Sequence, residues 1–387
     1  MHSGRTVFSQ IMDFVPRHEF SRCVQRYRGH YKVQKFSCQE QFRCMAFAQL
    51  TYRHSLRDIE VCLRAMGSRL YRMGIRSRVA KSTLADANEN RDCRIYEDFA
   101  HYLMATAKTM YGGEEFGIEL DATIYALDST IIDLCLTSFP WSRLNQYRGG
   151  VKLHTLLNLR GNIPEFILIT GGTVHDVHGM DALVLEPGAF YVLDRGYYSF
   201  VRLFLINKAP AYFVIRAMTT FNARPIKEHP VEKNTGVLLD QTVEFRTKLQ
   251  LEKYPEPMRY IKFFDVKTDK TFAFLTNNFD LPATTIADIY KARWQIEIFF
   301  KWIKQHLRIK NFFGTSENAV KTQIWIAIAT YVLVAILKKQ YQIEHSLYKI
   351  LQVLSVTLFE KVPVDQLLRD LDNYPEDDHF SNQLKLL

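Results

Sequence analysis

Five short apolar segments, separated by turns rich in Gly, Pro and Asn, constrain the fold of this chain most strongly. They are TIYALDST, VKLHTLLNL, PEFILITGG, AFYVLDRGYY and AYFVIRAM, between residues 123 and 218. Each has the length and apolar content of a β-strand. GMDALVLE before the fourth segment and SFVRLFLINKA after it have helical spacing. The order βββαβαβ therefore predicts an α/β fold with a mixed sheet, opened by a meander and flanked by helices.

The preceding part of the chain, residues 1–115, predicts a basic helical domain. FSQIMDFV, EQFRCMAFAQLTY and SLRDIEVCLRAM have apolar residues at helical intervals, and Ser55 is placed to cap the third helix. Arg and Lys outnumber acids over residues 1–81. The third helix, a turn containing Gly67 and Gly74, and a short segment starting at Ser82 resemble a helix-turn-helix. We predict a DNA-binding domain, with a plain helical bundle of basic surface as the alternative.

The remaining chain divides into three parts. Residues 218–280 interrupt the α/β pattern, because TVEFRTKLQL, RYIKFFDV and KTFAFLTNNF alternate like antiparallel strands, which predicts an inserted β subdomain. A long helix and a second helical run follow, so we predict one core from residues 116–217 and 281–340. Residues 341–387 predict a helical C-terminal tail that ends in the acidic stretch PEDDHFSNQ.

Composition favours a polyanionic partner inside the cell. The 387 residues include 50 Lys and Arg against 41 Asp and Glu, a formal charge of +9. Six cysteines lack metal-binding spacing, and the N-terminus lacks a signal-peptide pattern, so we expect free thiols and a cytoplasmic protein. The apolar run from Ile324 to Leu337 is too short to span a bilayer, which predicts a buried core helix and no membrane association.

One predicted helix, IYKARWQIEIFFKWIK, carries a chemically distinctive face. Tyr290, Arg293, Glu297 and Lys304 fall within an arc of roughly 60° on it. One carboxylate flanked by cations suits a metal ion at a phosphodiester, with the cations on neighbouring phosphates. The alternative is a solvated face with an ion pair between Arg293 and Glu297.

Two further acids stand at special places in the predicted sheet. Asp128 lies in the first strand and Asp194 closes the fourth, where each can be exposed at the sheet margin. Together with Glu297 they offer hard oxygen ligands to Mg²⁺ or Mn²⁺. Two such ions about 4 Å apart activate the attacking oxygen and stabilise the leaving one. Turn-capping roles are the alternative for both aspartates, and alternation places Asp121 and Asp133 on the opposite sheet face from Asp128.

The segment GGTVHDVHG forms a second candidate cluster, with His175, Asp176 and His178. Imidazole ligands would suit zinc better than magnesium, but we favour a loop that positions DNA or supports the three acids. Lys152 and His154 share a face of the second strand, where they either approach a phosphate or line the sheet.

The segments DST, DRGY and Y-x2-R-x3-E-x6-K occur in this order around an interposed β segment. In these features the chain resembles DDE transposases of the insertion-sequence-4 family, over roughly residues 120–340. The resemblance implies a ribonuclease-H-like catalytic core and a metal-binding catalytic triad of Asp128, Asp194 and Glu297.

The resemblance also implies DNA contacts. Tyr290, Arg293 and Lys304 would contact phosphates near the cleaved transposon end. Trp294 would stack on an unpaired base, with a core anchor of the long helix as the alternative. In related enzymes the β insertion helps to bend or clamp the DNA end. Its basic residues here either serve that role or form a solvated face: Lys227, Lys233, Arg246, Lys248, Lys253, Arg259 and Lys262.

These observations predict a transposase that binds the inverted-repeat ends of its own insertion sequence. It would cleave and join strands by cut-and-paste transposition with two Mg²⁺ or Mn²⁺ ions, as a homodimer holding two DNA ends before target DNA is joined. One alternative is a sequence-tolerant nuclease with the same core and no strand joining. Another is a catalytically inactive protein that binds DNA ends.

Overall fold

The computed structural model describes residues 4–76, 78–114, 117–118, 120–232, 234–306 and 312–369. The helices are α1 (Val7–Asp13), α2 (Arg17–Arg26), α3 (Cys38–Leu50), α4 (Leu56–Ala65), α5 (Arg69–Arg72), α6 (Lys81–Asn90), α7 (Arg94–Tyr111), α8 (Phe200–Lys208), α9 (Lys248–Lys253), α10 (Ala283–Ala292), α11 (Trp294–His306), α12 (Glu317–Gln340), α13 (Leu347–Thr357) and α14 (Val364–Arg369). The strands are β1 (Ile124–Leu134), β2 (Gly149–Asn158), β3 (Ile163–Gly171), β4 (Phe190–Leu193), β5 (Tyr212–Arg216), β6 (Ala223–Glu228), β7 (Val237–Phe245), β8 (Met258–Asp265) and β9 (Lys270–Thr276). Short 3-10 helices span Pro140–Ser142, Asp176–Ala182 and Arg195–Tyr197.

Backbone contacts divide the chain into two compact units. One contains Met1–Leu103, Asn311–Gly314 and Asn318–Leu387, and the other contains Met104–Lys310 and Thr315–Glu317. Residues 318–340 fall in the first unit, and the domain boundaries predicted from the sequence stay a prediction. The predicted acidic end of the tail, PEDDHFSNQ, lies outside the described residues, as does Lys233.

Side-chain caps set the starts of helices in the first unit. Ser37 and Glu40 form a capping box before α3, in which each side chain accepts a hydrogen bond from the other's backbone N–H. Ser55 caps α4 as predicted, since its hydroxyl accepts from the Asp58 N–H at 3.1 Å. The predicted helices of residues 1–115 are thus present.

The cysteines and the apolar helix α12 bear on two of the predictions. The six cysteines are free thiols. Helix α12 has 24 residues and is long and apolar enough to cross a membrane, so the prediction that this segment is too short was wrong. Yet 94% of its most apolar window is buried inside the protein, which confirms the predicted core helix.

The second unit is built on one nine-stranded mixed sheet in the order β3-β2-β1-β4-β5-β9-β8-β7-β6. β1, β2 and β3 form the predicted antiparallel meander, and β4 and β5 pair in parallel beside β1. The strands of the 218–280 region continue this sheet, because β9 pairs with β5. β6, a mostly exposed edge strand with Pro225, was not predicted.

Three predicted elements differ in the structure. GMDALVLE forms no α-helix; a 3-10 helix ends at Ala182, and Pro187 disfavours helical geometry in the residue before it. The end of TVEFRTKLQL is helix α9 rather than strand, because Thr247 caps it. The long helix is divided into α10 and α11 at Arg293, where backbone bonds tighten to the i→i−3 type.

The core beneath the centre of the sheet comes from β1, β4, β5 and α8. Leu127, Tyr191, Phe213 and Leu203 are fully buried in one cluster. Burial of each such side chain contributes roughly 1.5–3 kcal/mol. The candidate site lies directly after the residues of β1, β4 and β5 that are buried in this cluster.

Candidate active site

The register of the parallel strands places Asp128 beside Asp194. Leu127 of β1 pairs with Leu193 of β4, and the two aspartates are the next residues along each strand. β4 ends at this point because the Asp194 carboxylate turns back and accepts a hydrogen bond from the Arg195 N–H at 2.5 Å. β1 continues to Leu134, so Asp128 lies within its strand and not at its end. Asp128 nevertheless lies at a margin of the sheet, because the neighbouring strand β4 ends beside it.

Glu297 reaches the same place from α11, which packs against β1. Arg293 Nη1 lies 3.3 Å from Asp128 Oδ2, and Arg293 Nη2 lies 2.7 Å from Glu297 Oε1. One guanidinium therefore joins the two carboxylates. The predicted ion pair between Arg293 and Glu297 is present, but the Arg293 side chain is only 14% exposed, so this helix face is not a solvated one.

Burial and like charges perturb this cluster. The pKa of Asp128 is raised to about 6, mainly by burial and to a smaller extent by the charges of Glu297 and Asp194, while the Ser129 N–H and Arg293 oppose the increase. Among the described residues, Glu297 Oε2 and Arg293 Nε are buried without a hydrogen-bond partner. A buried carboxylate oxygen that accepts no hydrogen bond destabilises the folded protein, unless a bound ligand such as a cation contacts it.

The residues fit a divalent cation by this criterion. Asp128, Asp194 and Glu297 supply oxygen donors of the type that Mg²⁺ and Mn²⁺ prefer, and one of those oxygens lacks a partner. In the part of the chain that the structure describes, no three acidic, His or Cys side chains are already gathered at metal-binding distances. The guanidinium of Arg293 lies between two of the carboxylates instead.

The other residues of the predicted helix face have different environments. Tyr290 is 8% exposed, with its ring 4.7 Å from the Phe274 ring, and burial raises its pKa. Trp294 is 63% exposed, so the alternative of a core anchor is wrong. Lys304 lies about two turns beyond Glu297 on α11 and is half-buried.

Arg216 is a site residue that the sequence reasoning missed. Leu193 of β4 pairs with Ile215 of β5, so Arg216 follows at the position beside Asp194. Its guanidinium carbon lies 5.0 Å from the centre of the Phe272 ring, and its Nε is buried without a partner among the described residues. The available signal was the alignment of VLDR with VIRA, which puts a cation at the end of the neighbouring strand.

The GGTVHDVHG segment does not form a zinc site. His175 caps the 3-10 helix, and His178 Nδ1 lies 3.1 Å from Asp181 Oδ2. Asp176 Oδ1 instead accepts from Lys152 Nζ at 2.8 Å. The three side chains therefore contact different partners.

Neighbouring residues named from the sequence are also accounted for. Lys152 is buried in its ion pair, and His154 is buried against Thr170, with 3.0 Å between His154 Nε2 and the Thr170 hydroxyl, so both line the sheet. Asp133 is exposed and pairs with Arg148, and Asp121 is exposed. Arg259 is buried against Asp240, which removes it from the cations available to DNA.

Comparison with known proteins identifies the family of this chain. Residues 119–333 match the family described as the transposase DDE domain, and residues 3–76 match a domain of unknown function, DUF4372. The protein is a DNA transposase, an enzyme that cleaves DNA. Because the match covers more than half of its residues, the chain belongs to the DDE transposase family. DDE transposase domains generally use divalent metal ions.

Relatives described as transposases support this membership. A Sinorhizobium fredii protein, described as transposase y4zB, is 30% identical over 72% of this chain and 77% of its own length. A Synechocystis protein, described as the transposase for insertion sequence element IS4SA, is 24% identical over 91% of this chain and 98% of its own. The cryo-EM structure of a piggyBac transposase synaptic complex with hairpin DNA is more distant, with a TM-score of 0.44 and 10% identity over 97% of this chain and 82% of that one.

Proposed function

We propose that Asp128, Asp194 and Glu297 are the catalytic carboxylates of this transposase and hold two divalent ions, Mg²⁺ or Mn²⁺. The observation that carries the proposal is the convergence of three distant carboxylates. Asp128 and Glu297 contact the same guanidinium, and strand register sets Asp194 next to Asp128. When bound, the ions would activate the attacking oxygen and stabilise the leaving oxygen of a phosphodiester.

The cations around these carboxylates suit the DNA backbone. Arg293, Arg216 and Lys304 would bind phosphates and hold the scissile bond in line, which is the main protein contribution to phosphoryl transfer. Tyr290 supports Arg293 from below, since the guanidinium carbon lies 5.7 Å from the centre of the Tyr290 ring. The exposed Trp294 would stack on an unpaired base at the DNA end.

Each predicted part of the chain has its own role in this proposal. Residues 1–115 bind the inverted-repeat ends, and residues 116–217 with 281–340 form a ribonuclease-H-like core. Residues 218–280 clamp the DNA end through their exposed cations. A homodimer in the cytoplasm holds two ends, cleaves them to free 3′-hydroxyls and joins these to target DNA by cut-and-paste transposition.

Cleavage of a labelled DNA end by the full-length protein tests the catalytic carboxylates. Glu297→Gln and Asp194→Asn should each lower the Mg²⁺-dependent cleavage rate by about 10²–10³-fold or more, because each removes a ligand of the divalent ions that would stabilise the charge of the transition state. Binding of the same DNA end should be retained. Asp133→Asn is the matched control, since it removes an exposed carboxylate from the strand that carries Asp128. Undiminished cleavage by the Glu297 and Asp194 variants would refute the assignment.

Strand joining separates a transposase reaction from simple nuclease activity. The full-length protein, given a pre-cut end with a free 3′-hydroxyl and a supercoiled plasmid, should join the two. A product that is only nicked plasmid would favour the nuclease reaction. Light scattering on paired ends should show two protomers, and a monomer alone would contradict the proposed dimer.

A further inference from the structure

Asp176, which the catalytic assignment does not use, is linked by hydrogen bonds to the strand segment that carries Asp128. Asp176 Oδ1 accepts from the Ser129 hydroxyl at 2.6 Å. Ser129 is the residue after Asp128, and its backbone N–H donates to Asp128 Oδ1 at 2.8 Å. A chain of two short hydrogen bonds thus runs from Asp176 to the Asp128 carboxylate.

The other oxygen of Asp176 faces the turn that carries Asp194. The 3-10 helix Asp176–Ala182 packs against the 3-10 helix Arg195–Tyr197, and a Cβ atom added to Gly196 would lie 3.4 Å from Asp176 Oδ2, so this oxygen lies beside the turn. Gly196 is two residues after Asp194, whose own carboxylate starts the turn by accepting from the Arg195 N–H. One carboxylate therefore accepts a hydrogen bond from the residue after Asp128 and lies beside the turn that follows Asp194.

Lys152 fixes the position of Asp176. Its side chain is only 10% exposed, and Nζ donates both to Asp176 Oδ1 at 2.8 Å and to the Val174 carbonyl at 2.7 Å. Lys152 lies on β2, which is paired with β1 along its whole length. Lys152, which holds the Asp176 carboxylate in place, therefore belongs to a buried strand.

We propose that Asp176 and Lys152 form a positioning pair that sets the spacing of the Asp128 and Asp194 carboxylates. The inference rests on the proposed function of those two aspartates as metal ligands. Removal of a residue that hydrogen-bonds to a metal ligand and orients it typically lowers metal affinity or activity by 10–100-fold. A displacement of about 1 Å at reacting groups can cost 10²-fold in rate.

The competing interpretation is a half-buried ion pair, with Lys152 10% and Asp176 35% exposed, that only maintains the fold. Removal of one partner of such a pair is destabilising, whereas replacement of both by apolar residues of similar volume is often neutral. Asp176→Leu combined with Lys152→Met leaves no unpaired buried charge. It should therefore fold with a melting temperature near that of the wild type, and it removes the acceptor of the Ser129 hydroxyl.

Mn²⁺ binding to the DNA-free, full-length protein, followed by the electron paramagnetic resonance signal of free Mn²⁺, distinguishes these interpretations. The double variant should bind Mn²⁺ at least tenfold more weakly and should lower kcat for cleavage with KM for the DNA end unchanged. Wild-type Mn²⁺ affinity in the folded double variant would overturn the proposal. Asp181→Asn is the control, since it breaks another carboxylate ion pair of the same 3-10 helix, with Arg202.

Two further variants keep the outcome decisive. Asp128→Asn must itself weaken Mn²⁺ binding; if it does not, the proposed ligand set fails, whereas failure of the Asp176 variants alone refutes only the positioning pair. Should the double variant not fold, Ser129→Ala removes the hydrogen bond to Asp176 and leaves the ion pair intact. It should weaken Mn²⁺ binding several-fold, and unchanged affinity would overturn the proposal.

Discussion

Arg293 Nη1 lies 3.3 Å from Asp128 Oδ2, although 165 residues separate the two in sequence. The same guanidinium contacts Glu297, so one side-chain cation pairs with two of the proposed metal ligands in the DNA-free protein. A divalent ion that binds these carboxylates must compete with that charge. A phosphate of the DNA end is the natural alternative partner for the guanidinium.

Replacement of Arg293 should therefore strengthen metal binding while it impairs catalysis. Without DNA, we expect Arg293→Gln to bind Mn²⁺ about tenfold more tightly, since charges about 4 Å apart interact by about 1 kcal/mol in water and up to about 4 kcal/mol near a protein surface. Cleavage of a DNA end should nevertheless fall, because no cation then holds the phosphate that Arg293 would bind. Calorimetric titration with Mn²⁺ measures the first effect. Arg148→Gln, which breaks the exposed pair with Asp133, should leave Mn²⁺ affinity unchanged, and weaker binding by Arg293→Gln would contradict the competition.

Trp294 offers a test of base stacking that is separate from stability. Trp294→Ala should lower the single-turnover cleavage rate about tenfold to a hundredfold, because stacking on a base contributes about 1–3 kcal/mol. Its melting temperature should stay close to the wild-type value, since the side chain is 63% exposed. Trp294→Phe should recover most of the rate. An equal loss in the Phe and Ala variants would exclude stacking.

Four exposed arginines near the proposed helix-turn-helix should control binding to DNA ends. Substitution of Arg57, Arg69, Arg76 and Arg78 by Gln should weaken end binding. It should also reduce the slope of log affinity against log salt by about one for each DNA phosphate that is no longer neutralised. Fluorescence anisotropy at several salt concentrations measures both quantities.

The matched control removes the same number of exposed cations from the 218–280 region, namely Lys227, Arg246, Lys248 and Lys253. We expect this variant to keep most of its affinity for the DNA end and to lose cleavage, because the 218–280 region is proposed to clamp the end during cleavage. A larger loss of end affinity in the control than in the N-terminal variant would assign end recognition to the β strands instead.

The buried pair of Arg259 and Asp240 should dominate the stability of the extended sheet. Their side chains are 7% and 5% exposed and form two hydrogen bonds, at 2.9 and 2.7 Å. Arg259→Met should lower the free energy of unfolding by about 3–5 kcal/mol, because it leaves Asp240 buried and unpaired. Denaturant unfolding checks this value. Arg224→Met breaks the exposed pair with Glu244 on the same sheet and should cost less than about 1 kcal/mol.

Local signals in the sequence predicted much of the fold. The strands β1 to β5 and the meander follow from apolar segments bounded by turn residues, and Ser55 caps α4 as its side-chain chemistry dictates. Errors arose where a neighbour outside the segment, or a cap, decided the outcome. Thr247 turned a strand-like segment into α9, and the length of α12 exceeded its apolar run.

For the candidate site, the sequence by itself determined which side chains we predict to carry the chemistry, because spacing along one helix and positions near strand ends are local properties. The tertiary structure alone decided which of them meet: the register of β1 with β4 set Asp128 beside Asp194, and the packing of α11 on β1 brought Arg293 between Asp128 and Glu297. It also showed Arg216 at the next strand end and Asp176 behind both aspartates. The physical reason is that hydrogen-bond register and burial depend on contacts between residues far apart in the chain, which no single segment encodes.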